Sequence, residues 1–129
     1  MARIMIADDS ATERKILKDA LDSLGHEVLL ARDGEEAERR FFEERPDVLI
    51  LDVIMPKKDG YQICRKIKTD QSVRHIPVIM ISSKNQKSDE YWGLKQGADR
   101  YFGKPFDVKS LVDTVRTYLP LTMSREKAL

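Results

Sequence analysis

The segment Val48-Leu49-Ile50-Leu51-Asp52-Val53-Ile54-Met55-Pro56 places a single carboxylate inside an apolar run. The run is too short to span a membrane, and its Val and Ile content favours a strand that is buried on both faces, as in a parallel sheet. An ionised aspartate in such a strand is costly unless a partner or a chemical role compensates it. We therefore examine the rest of the sequence for residues that could compensate or use the charge of Asp52.

The composition describes one domain with balanced charge. The chain has 129 residues, with 23 Lys and Arg against 22 Asp and Glu and a formal net charge of +1. This length can bury a core, and the charge balance gives no reason to expect nucleic acid as a partner. Cys64 is the single cysteine, which excludes an internal disulfide, and no segment resembles a signal-peptide core or a membrane helix. We expect a cytoplasmic protein without membrane insertion, as a monomer or a weak dimer.

Apolar runs and helical patterns alternate along the chain. Five strands are predicted, one in the opening run and the others at residues 4–7, 27–31, 77–82 and 99–103. A helix follows each strand, and the first begins with the capping-box pattern of Ser10 and Glu13. Aspartates are predicted to cap three later helices, namely Asp33, Asp59 and Asp107. Pro120 ends the last helix, so residues 1–120 are predicted as one domain and 121–129 as a loose tail.

The fourth helix, at about residues 86–96, has the weakest pattern, because Gly93 lies inside it. Tyr91 and Trp92 also lie on this helix. These aromatic side chains either complete the core or form a surface for a partner, and the sequence leaves both interpretations open.

The alternation of strands and helices predicts an α/β fold with a doubly wound parallel sheet, helices on both faces and right-handed crossovers. In such sheets, binding and catalytic groups collect at the carboxyl ends of the strands. Polar side chains follow the predicted strands at this edge, namely Asp8, Asp9, Asp52, Ser82, Ser83 and Lys104. We therefore expect these side chains to lie near one another.

Three carboxylates at one edge repel each other, so a cation is needed if all of them stay ionised. Oxygen ligands favour Mg²⁺ or Mn²⁺, and the charges balance when about −3 meets about +2 from the metal and about +1 from Lys104. A carboxylate in this setting can take up a phosphoryl group as a nucleophile. Asp52 is the candidate, because it lies in the central strand. Taken singly, Asp8 and Asp9 have a plainer interpretation as caps, and Lys104 as a surface lysine.

The ordered motifs resemble the receiver domain of two-component response regulators, the fold of the chemotaxis regulators. The resemblance covers about residues 3–119 and is carried by Asp8-Asp9-Ser10, Leu51-Asp52, Met55-Pro56, Asp59-Gly60, Ser82 and Lys104-Pro105. It implies a flavodoxin-like (βα)5 fold with a five-stranded parallel sheet in the order 2-1-3-4-5.

The resemblance also implies roles for the acidic residues. Asp52 would accept a phosphoryl group from the phosphohistidine of a kinase. Asp8 and Asp9 would hold Mg²⁺, or Mn²⁺ in its place, together with Asp52 and the backbone carbonyl of Ile54. Such a protein is a phosphoacceptor that promotes its own phosphorylation and dephosphorylation, and it is not a turnover enzyme.

Three further positions receive roles from the resemblance. Ser82 and Lys104 would each bind a phosphoryl oxygen, and Tyr101 would turn inward as Ser82 moves toward the phosphate. The peptide bond between Lys104 and Pro105 is often cis in this family. The response would appear on the face formed by the fourth helix, the fifth strand and the fifth helix.

The ends of the chain and the fourth helix suggest a more specific role. Only about ten residues follow the last helix, so we expect a stand-alone regulator that acts by protein contact or phosphoryl relay. The segment 84–89 with Trp92-Gly93 and residues 96–98 is similar to regulators of twitching motility and phototaxis. That similarity implies a chemotaxis-type histidine kinase as phosphodonor. A phosphate sink, a phosphorelay intermediate and a non-phosphorylated scaffold are the alternatives within the family.

Two other classes of protein fit the sequence less well. A flavodoxin-like binding protein needs a phosphate-cradling loop after the first strand, where Asp8 and Asp9 would repel an anion. A magnesium-dependent phosphohydrolase needs a second acid two residues after the nucleophile, where this chain has Ile54. As a hypothesis, the apolar Ile54 hinders water from attacking the phosphoryl group in line and lengthens its lifetime.

Overall fold

The computed structural model describes residues 2–119, in which five strands alternate with five helices. They are β1 (Arg3–Ala7), α1 (Ala11–Asp22), β2 (Glu27–Ala31), α2 (Gly34–Glu44), β3 (Val48–Asp52), α3 (Gly60–Lys68), β4 (Val78–Ser82), α4 (Lys87–Lys95), β5 (Arg100–Gly103) and α5 (Val108–Tyr118). All strand pairs are parallel, and the sheet order is β2-β1-β3-β4-β5. The predicted fold and strand order are confirmed. The predicted tail at 121–129 lies outside the described residues, and none of the described helices has the length and apolar character needed to cross a membrane.

The sheet separates two apolar layers. Alternate residues of its strands point to opposite faces. On one face the strands pack against α2 and α3, through Met5, Leu51, Met80, Phe41, Ile63 and Ile67. On the other face they pack against α1 and α5, through Ile6, Ile50, Ile79, Leu17, Leu21 and Leu111. Because both faces are covered, every residue of β3 and β4 is buried, including the polar residues at their carboxyl ends.

The strand register aligns the carboxyl ends of the central strands. Asp52, the last residue of β3, pairs with Ile81 of β4. Ser82, the last residue of β4, pairs with Gly103 of β5. This alignment places the predicted functional residues of β3, β4 and β5 at one edge of the sheet, as expected for a parallel α/β fold.

Two of the predicted helix caps form as expected. The Asp33 carboxylate accepts a hydrogen bond of 2.9 Å from the backbone N–H of Glu36, and Asp59 accepts one of 2.9 Å from Gln62. Each bond satisfies a backbone donor that has no partner within the first turn of its helix.

Two other predictions about helix starts are wrong in part. Ser10 Oγ accepts a bond of 3.3 Å from the N–H of Glu13, but the N–H of Ser10 donates to Asp8 Oδ1 at 2.8 Å. The capping box is therefore only half formed, and Glu13 turns elsewhere. The Asp107 carboxylate makes no bond to its helix backbone and accepts instead from the hydroxyl of Ser110 at 2.9 Å.

Helix α4 is the least embedded of the five helices. Its one buried residue is Gly93, whereas Tyr91 and Trp92 are each 58% exposed and Leu94 is 45% exposed. The exposure of Tyr91 and Trp92 shows that these side chains do not complete the core, and their role as a surface for a partner stays a prediction. The weak helical pattern of the sequence thus corresponds to a helix with few core contacts.

Gly34, the first residue of α2, allows a close backbone contact that provides a test of the packing. Its N–H donates to the carbonyl of Pro56 at 3.1 Å, and a Cβ atom there would lie 1.9 Å from the carbonyl oxygen of Lys58. Gly34→Ala should therefore lower the free energy of unfolding by about 1–3 kcal/mol, because backbone must move to relieve the overlap. Urea denaturation would measure this loss.

The exposed residue Arg39 on the same helix provides the control. Arg39→Ala should change the free energy of unfolding by no more than about 0.5 kcal/mol. A Gly34→Ala variant as stable as the wild type would contradict the close contact, since alanine ordinarily stabilises a helix relative to glycine.

Candidate functional site

Three acidic side chains converge at the carboxyl end of the sheet. Carboxylate oxygens of Asp8, Glu13 and Asp52 all lie within 4.8 Å of one another. Asp8 is 0% exposed and Asp52 is 3% exposed, whereas Glu13 is partly exposed. Of the three predicted acids, the structure thus brings Asp8 and Asp52 together. Asp9 is exposed and lies outside this cluster, in which Glu13 is the third acid.

Lys104 follows β5 and contacts all three carboxylates. Its Nζ atom lies 3.0 Å from Asp52 Oδ2 and 3.4 Å from Asp8 Oδ2, and it is ion-paired with Glu13 Oε2. Burial lowers the pKa of the Lys104 ammonium, but hydrogen bonds and charges from Glu13 and Asp52 outweigh burial and raise that pKa above its usual value. The lysine is therefore a permanent positive charge beside the buried aspartate.

The carboxyl groups themselves are held at raised pKa values. Burial raises the pKa of Asp52. Lys104 and the N–H of Ile54 lower this pKa, but the effect of burial is larger, so the pKa is above its usual value. Burial and the neighbouring Asp8 also raise the pKa of Glu13, against the opposing effect of Lys104. Both shifts indicate that one ammonium does not fully compensate three clustered acids.

The cluster fits a divalent magnesium ion. Its donors are carboxylate oxygens, which are the ligands that Mg²⁺ prefers, and three negative charges against one ammonium leave an excess of two negative charges. Asp8 and Asp52 would hold the ion. The N–H of Ile54 donates to Asp52 Oδ1 at 3.2 Å and orients that carboxylate. Ligation by Asp9 and by the Ile54 carbonyl stays a prediction.

Ser82 at the end of β4 and Tyr101 on β5 both bond to Lys84, which lies in the loop between β4 and α4. Ser82 is fully buried, and its hydroxyl accepts a bond of 3.0 Å from the N–H of Lys84. The Tyr101 hydroxyl donates to the carbonyl of Lys84 at 2.6 Å. The Tyr101 ring lies against Gly93, where a Cβ atom would approach the ring to 2.6 Å. Tyr101 is therefore partly buried and connects β5 to α4 and to the loop before that helix. The inward turn of Tyr101 stays a prediction.

The backbone around Lys104 is fixed from two sides. Its N–H donates to the carbonyl of Ser82 at 2.7 Å, and its carbonyl accepts from the Asn85 side chain at 3.0 Å. The peptide bond between Lys104 and Pro105 is cis, in agreement with the resemblance. These contacts attach the lysine to the end of β4 at Ser82 and to the loop that follows this strand.

Glu13 is the site residue that the sequence analysis did not identify. The spacing of Ser10 and Glu13 predicts a capping box, in which the glutamate binds the N–H of Ser10. Asp8 is the feature of the sequence that could have indicated the observed arrangement. An aspartate side chain commonly accepts a hydrogen bond from the backbone N–H of the residue two positions later, which here is Ser10. With that donor taken at 2.8 Å, Glu13 is left to pair with Lys104.

The parallel sheet and this edge define a class of small α/β proteins, in which a buried aspartate on the central strand is flanked by further acids, a lysine and a serine. The family model for the response regulator receiver domain matches residues 4–116. The chain belongs to the response regulator receiver domain family.

Two relatives show how the domain occurs in other chains. The protein PilH of Pseudomonas aeruginosa is 40% identical over 119 residues, which cover 92% of this chain and 98% of PilH. A probable transcriptional regulator Ycf27 from Guillardia theta is 44% identical over 120 residues, which cover 93% of this chain but 46% of that regulator. The chain thus spans about half the length of Ycf27 and nearly all of PilH.

Solved structures show the same fold. The chemotaxis protein CheY4 of Vibrio cholerae superimposes with a TM-score of 0.83 at 29% identity, covering 92% of this chain and 99% of that one. The receiver domain of the sensor histidine kinase PA1611 of Pseudomonas aeruginosa superimposes with a TM-score of 0.82 at 27% identity, covering 91% of this chain and 96% of that one. That receiver domain has a magnesium ion coordinated in its active-site cleft.

The raised pKa of Asp52 predicts how stability depends on pH. Because burial raises this pKa above its ordinary 3.8, the folded protein holds the proton more tightly than the unfolded chain does. Stability is then lost as the pH rises from the unfolded pKa through the folded one. Without a divalent cation, Asp52→Asn should therefore be more stable than the wild type at neutral pH. That gain should shrink as the pH falls and disappear well below the unfolded pKa of about 3.9, where both states are protonated.

Denaturant unfolding in the presence of a chelator, at neutral and at acid pH, measures this difference. Asp19→Asn provides the control, because Asp19 is an exposed carboxylate of α1 that pairs with Lys15 on the surface. The control should change stability little at either pH. A gain of the Asp52 variant that is the same at both pH values would show that charge is not its cause.

Proposed function

We propose that this receiver domain takes up a phosphoryl group on Asp52 from the phosphohistidine of a kinase in a magnesium-dependent reaction, and then changes its contacts with a partner protein. The observation that carries the proposal is the contact of 3.0 Å between Lys104 Nζ and Asp52 Oδ2, inside a cluster with two uncompensated negative charges. A cation and a phosphoryl group are the ligands that such a site accommodates.

The transfer uses one oxygen of Asp52 as the nucleophile. An O–P bond forms to the phosphorus as the bond from phosphorus to the donor breaks, and the electron pair of that bond leaves with the donor. The Ile54 N–H keeps Asp52 Oδ1 in place, while Lys104 neutralises charge that develops on a phosphoryl oxygen. Magnesium, when it is held by Asp8 and Asp52, supplies further positive charge against the phosphoryl oxygens. The domain is a phosphoacceptor with one acceptor group and not a turnover enzyme.

The response is expected on the face formed by α4, β5 and α5. In this proposal Ser82 binds a phosphoryl oxygen, and its movement disturbs the bonds that the loop makes with Tyr101. Helix α4 offers little resistance, because its one buried residue is Gly93. Its exposed Tyr91 and Trp92 then provide an apolar contact for a protein partner.

The relatives favour a role in motility or chemotaxis signalling. PilH matches the chain over 98% of its own length, and one of the similar structures is a chemotaxis protein. We infer that the phosphodonor is a chemotaxis-type histidine kinase and that the domain acts in the cytoplasm as a stand-alone regulator. The magnesium ion in the PA1611 receiver domain supports the choice of metal.

Phosphoryl uptake is the direct test. Incubation with acetyl phosphate and Mg²⁺ should add the mass of one phosphoryl group, because acetate is a good leaving group and Asp52 is poised as nucleophile. Asp52→Ala should abolish the gain, and so should removal of Mg²⁺ by a chelator. Asp19→Asn is the matched control, because it removes a carboxylate on the surface of α1, and it should behave as the wild type. Undiminished uptake by Asp52→Ala, or none by the wild type, would overturn the proposal.

The lifetime of the phosphoryl group tests the role of Ile54. This side chain is 47% exposed and follows Asp52 by two residues, so it can shield the phosphorus from water. Ile54→Asn should accelerate loss of the phosphoryl group on the order of tenfold, which is about 1.4 kcal/mol of barrier. Phosphorylated protein, freed of donor, would be followed by mass over time.

Leu94→Asn is the matched control for Ile54→Asn, because Leu94 is 45% exposed but lies on α4. Its rate of loss should equal that of the wild type. If Ile54→Asn also loses the group at the wild-type rate, shielding by Ile54 is wrong.

A further inference from the structure

We propose that Glu13 is a positioning residue that competes with the phosphoryl group for Lys104 and thereby restrains phosphorylation of Asp52. The inference rests on the proposed function and concerns Glu13, whose charge belongs to the acid cluster but which has no assigned part in the transfer. Its basis is the ion pair between Glu13 Oε2 and Lys104 Nζ, at the same ammonium that contacts Asp52 at 3.0 Å.

The local fold of α1 directs Glu13 toward Lys104. In a complete capping box its carboxylate would bind the N–H of Ser10, but that N–H donates to Asp8 at 2.8 Å. Glu13 is thus released from its helix and enters the acid cluster. The consequence is an ammonium shared by three carboxylates.

The Glu13 carboxylate is held in place mainly by its electrostatic attraction to Lys104. Its Oε2 atom is buried and makes no hydrogen bond of regular geometry within residues 2–119, although it is ion-paired with Lys104. A cavity of about 150 Å³ lies beside it and is lined by both residues together with Ile16 and Phe106. A carboxylate displaced from Lys104 therefore breaks no hydrogen bond of regular geometry, but the rest of this cavity is apolar and offers it no second cation.

Phosphorylation changes the balance at Lys104. A phosphoryl group on Asp52 replaces one negative charge by about two and needs the ammonium as a partner for its oxygen. Glu13 then loses its share of Lys104 and lies near a more negative group, so it disfavours the phosphorylated protein relative to the free one. Removing the charge of Glu13 should favour phosphoryl uptake.

The test compares wild type, Glu13→Gln and Glu13→Asp with acetyl phosphate at saturating Mg²⁺. Glu13→Gln should be phosphorylated roughly tenfold faster, because Lys104 is no longer shared with a charged competitor. Glu13→Asp keeps the charge but shortens its reach, so its rate should fall between the other two. Asp19→Asn removes an equal charge from the exposed side of α1 and should leave the rate unchanged.

A binding measurement separates competition from a purely structural effect. Beryllofluoride with Mg²⁺ mimics the phosphoryl group without a transfer step, and calorimetry should show roughly tenfold tighter binding to Glu13→Gln than to the wild type. Separate titration of each variant with Mg²⁺ alone establishes saturation. Denaturant unfolding of each variant verifies that it is folded.

The outcomes distinguish this inference from the function on which it rests. If the wild type takes up no phosphoryl group, the proposed function fails and this inference fails with it. If the wild type is phosphorylated and Glu13→Gln is no faster at saturating Mg²⁺, only the role of Glu13 is overturned. Slower uptake with weaker Mg²⁺ binding would also overturn it, and would identify Glu13 as a ligand of the metal.

Discussion

The contact between the Lys104 ammonium and the Asp52 carboxylate is the interaction on which the site depends. Asp52 ends a strand in which every residue is buried, so its charge cannot be solvated by water alone. Lys104 supplies the counter-charge from the far side of β4, and its backbone is fixed to that strand at Ser82. Because Asp8 and Glu13 share the same ammonium, one positive charge serves three negative ones. This deficit favours a divalent cation and makes the site responsive to a change of charge at Asp52.

The central strands are closely packed, whereas helix α4 has few contacts with the core. The central strands, which carry Asp52, lie between two apolar layers, where close packing resists displacement. Helix α4 lies outside these layers, with one buried glycine and an exposed aromatic pair. Tyr101 connects the two regions through its ring contact with Gly93 and its bond to the carbonyl of Lys84. In the proposed function, a change of charge at Asp52 would therefore act through Tyr101 on a helix that has few core contacts.

The fold was predictable because hydrophobic period, turn residues and strand ends agree along the chain. The positions of Asp8, Asp52, Ser82 and Lys104 followed from the rule that functional groups collect at the carboxyl edge of a parallel sheet. Glu13 was missed because two acceptors, Asp8 and Glu13, suit the one N–H of Ser10, and local spacing does not decide between them. Asp107 was assigned to its helix backbone for the same reason, although Ser110 offers a competing donor. The exposure of Tyr91 and Trp92 depends on how α4 sits on the sheet, which composition does not determine.

The order of the strands places Asp52 on an inner strand of the sheet and Tyr101 on an edge strand. Strand β3 has hydrogen-bonded neighbours on both sides, β1 and β4, whereas β5 pairs only with β4. Shifting the strand of Asp52 would break two ladders of backbone bonds, but shifting the strand of Tyr101 strains only one. The proposed phosphoryl acceptor therefore lies on a strand that is held from both sides, and the proposed switch residue Tyr101 lies on a strand at the edge of the sheet.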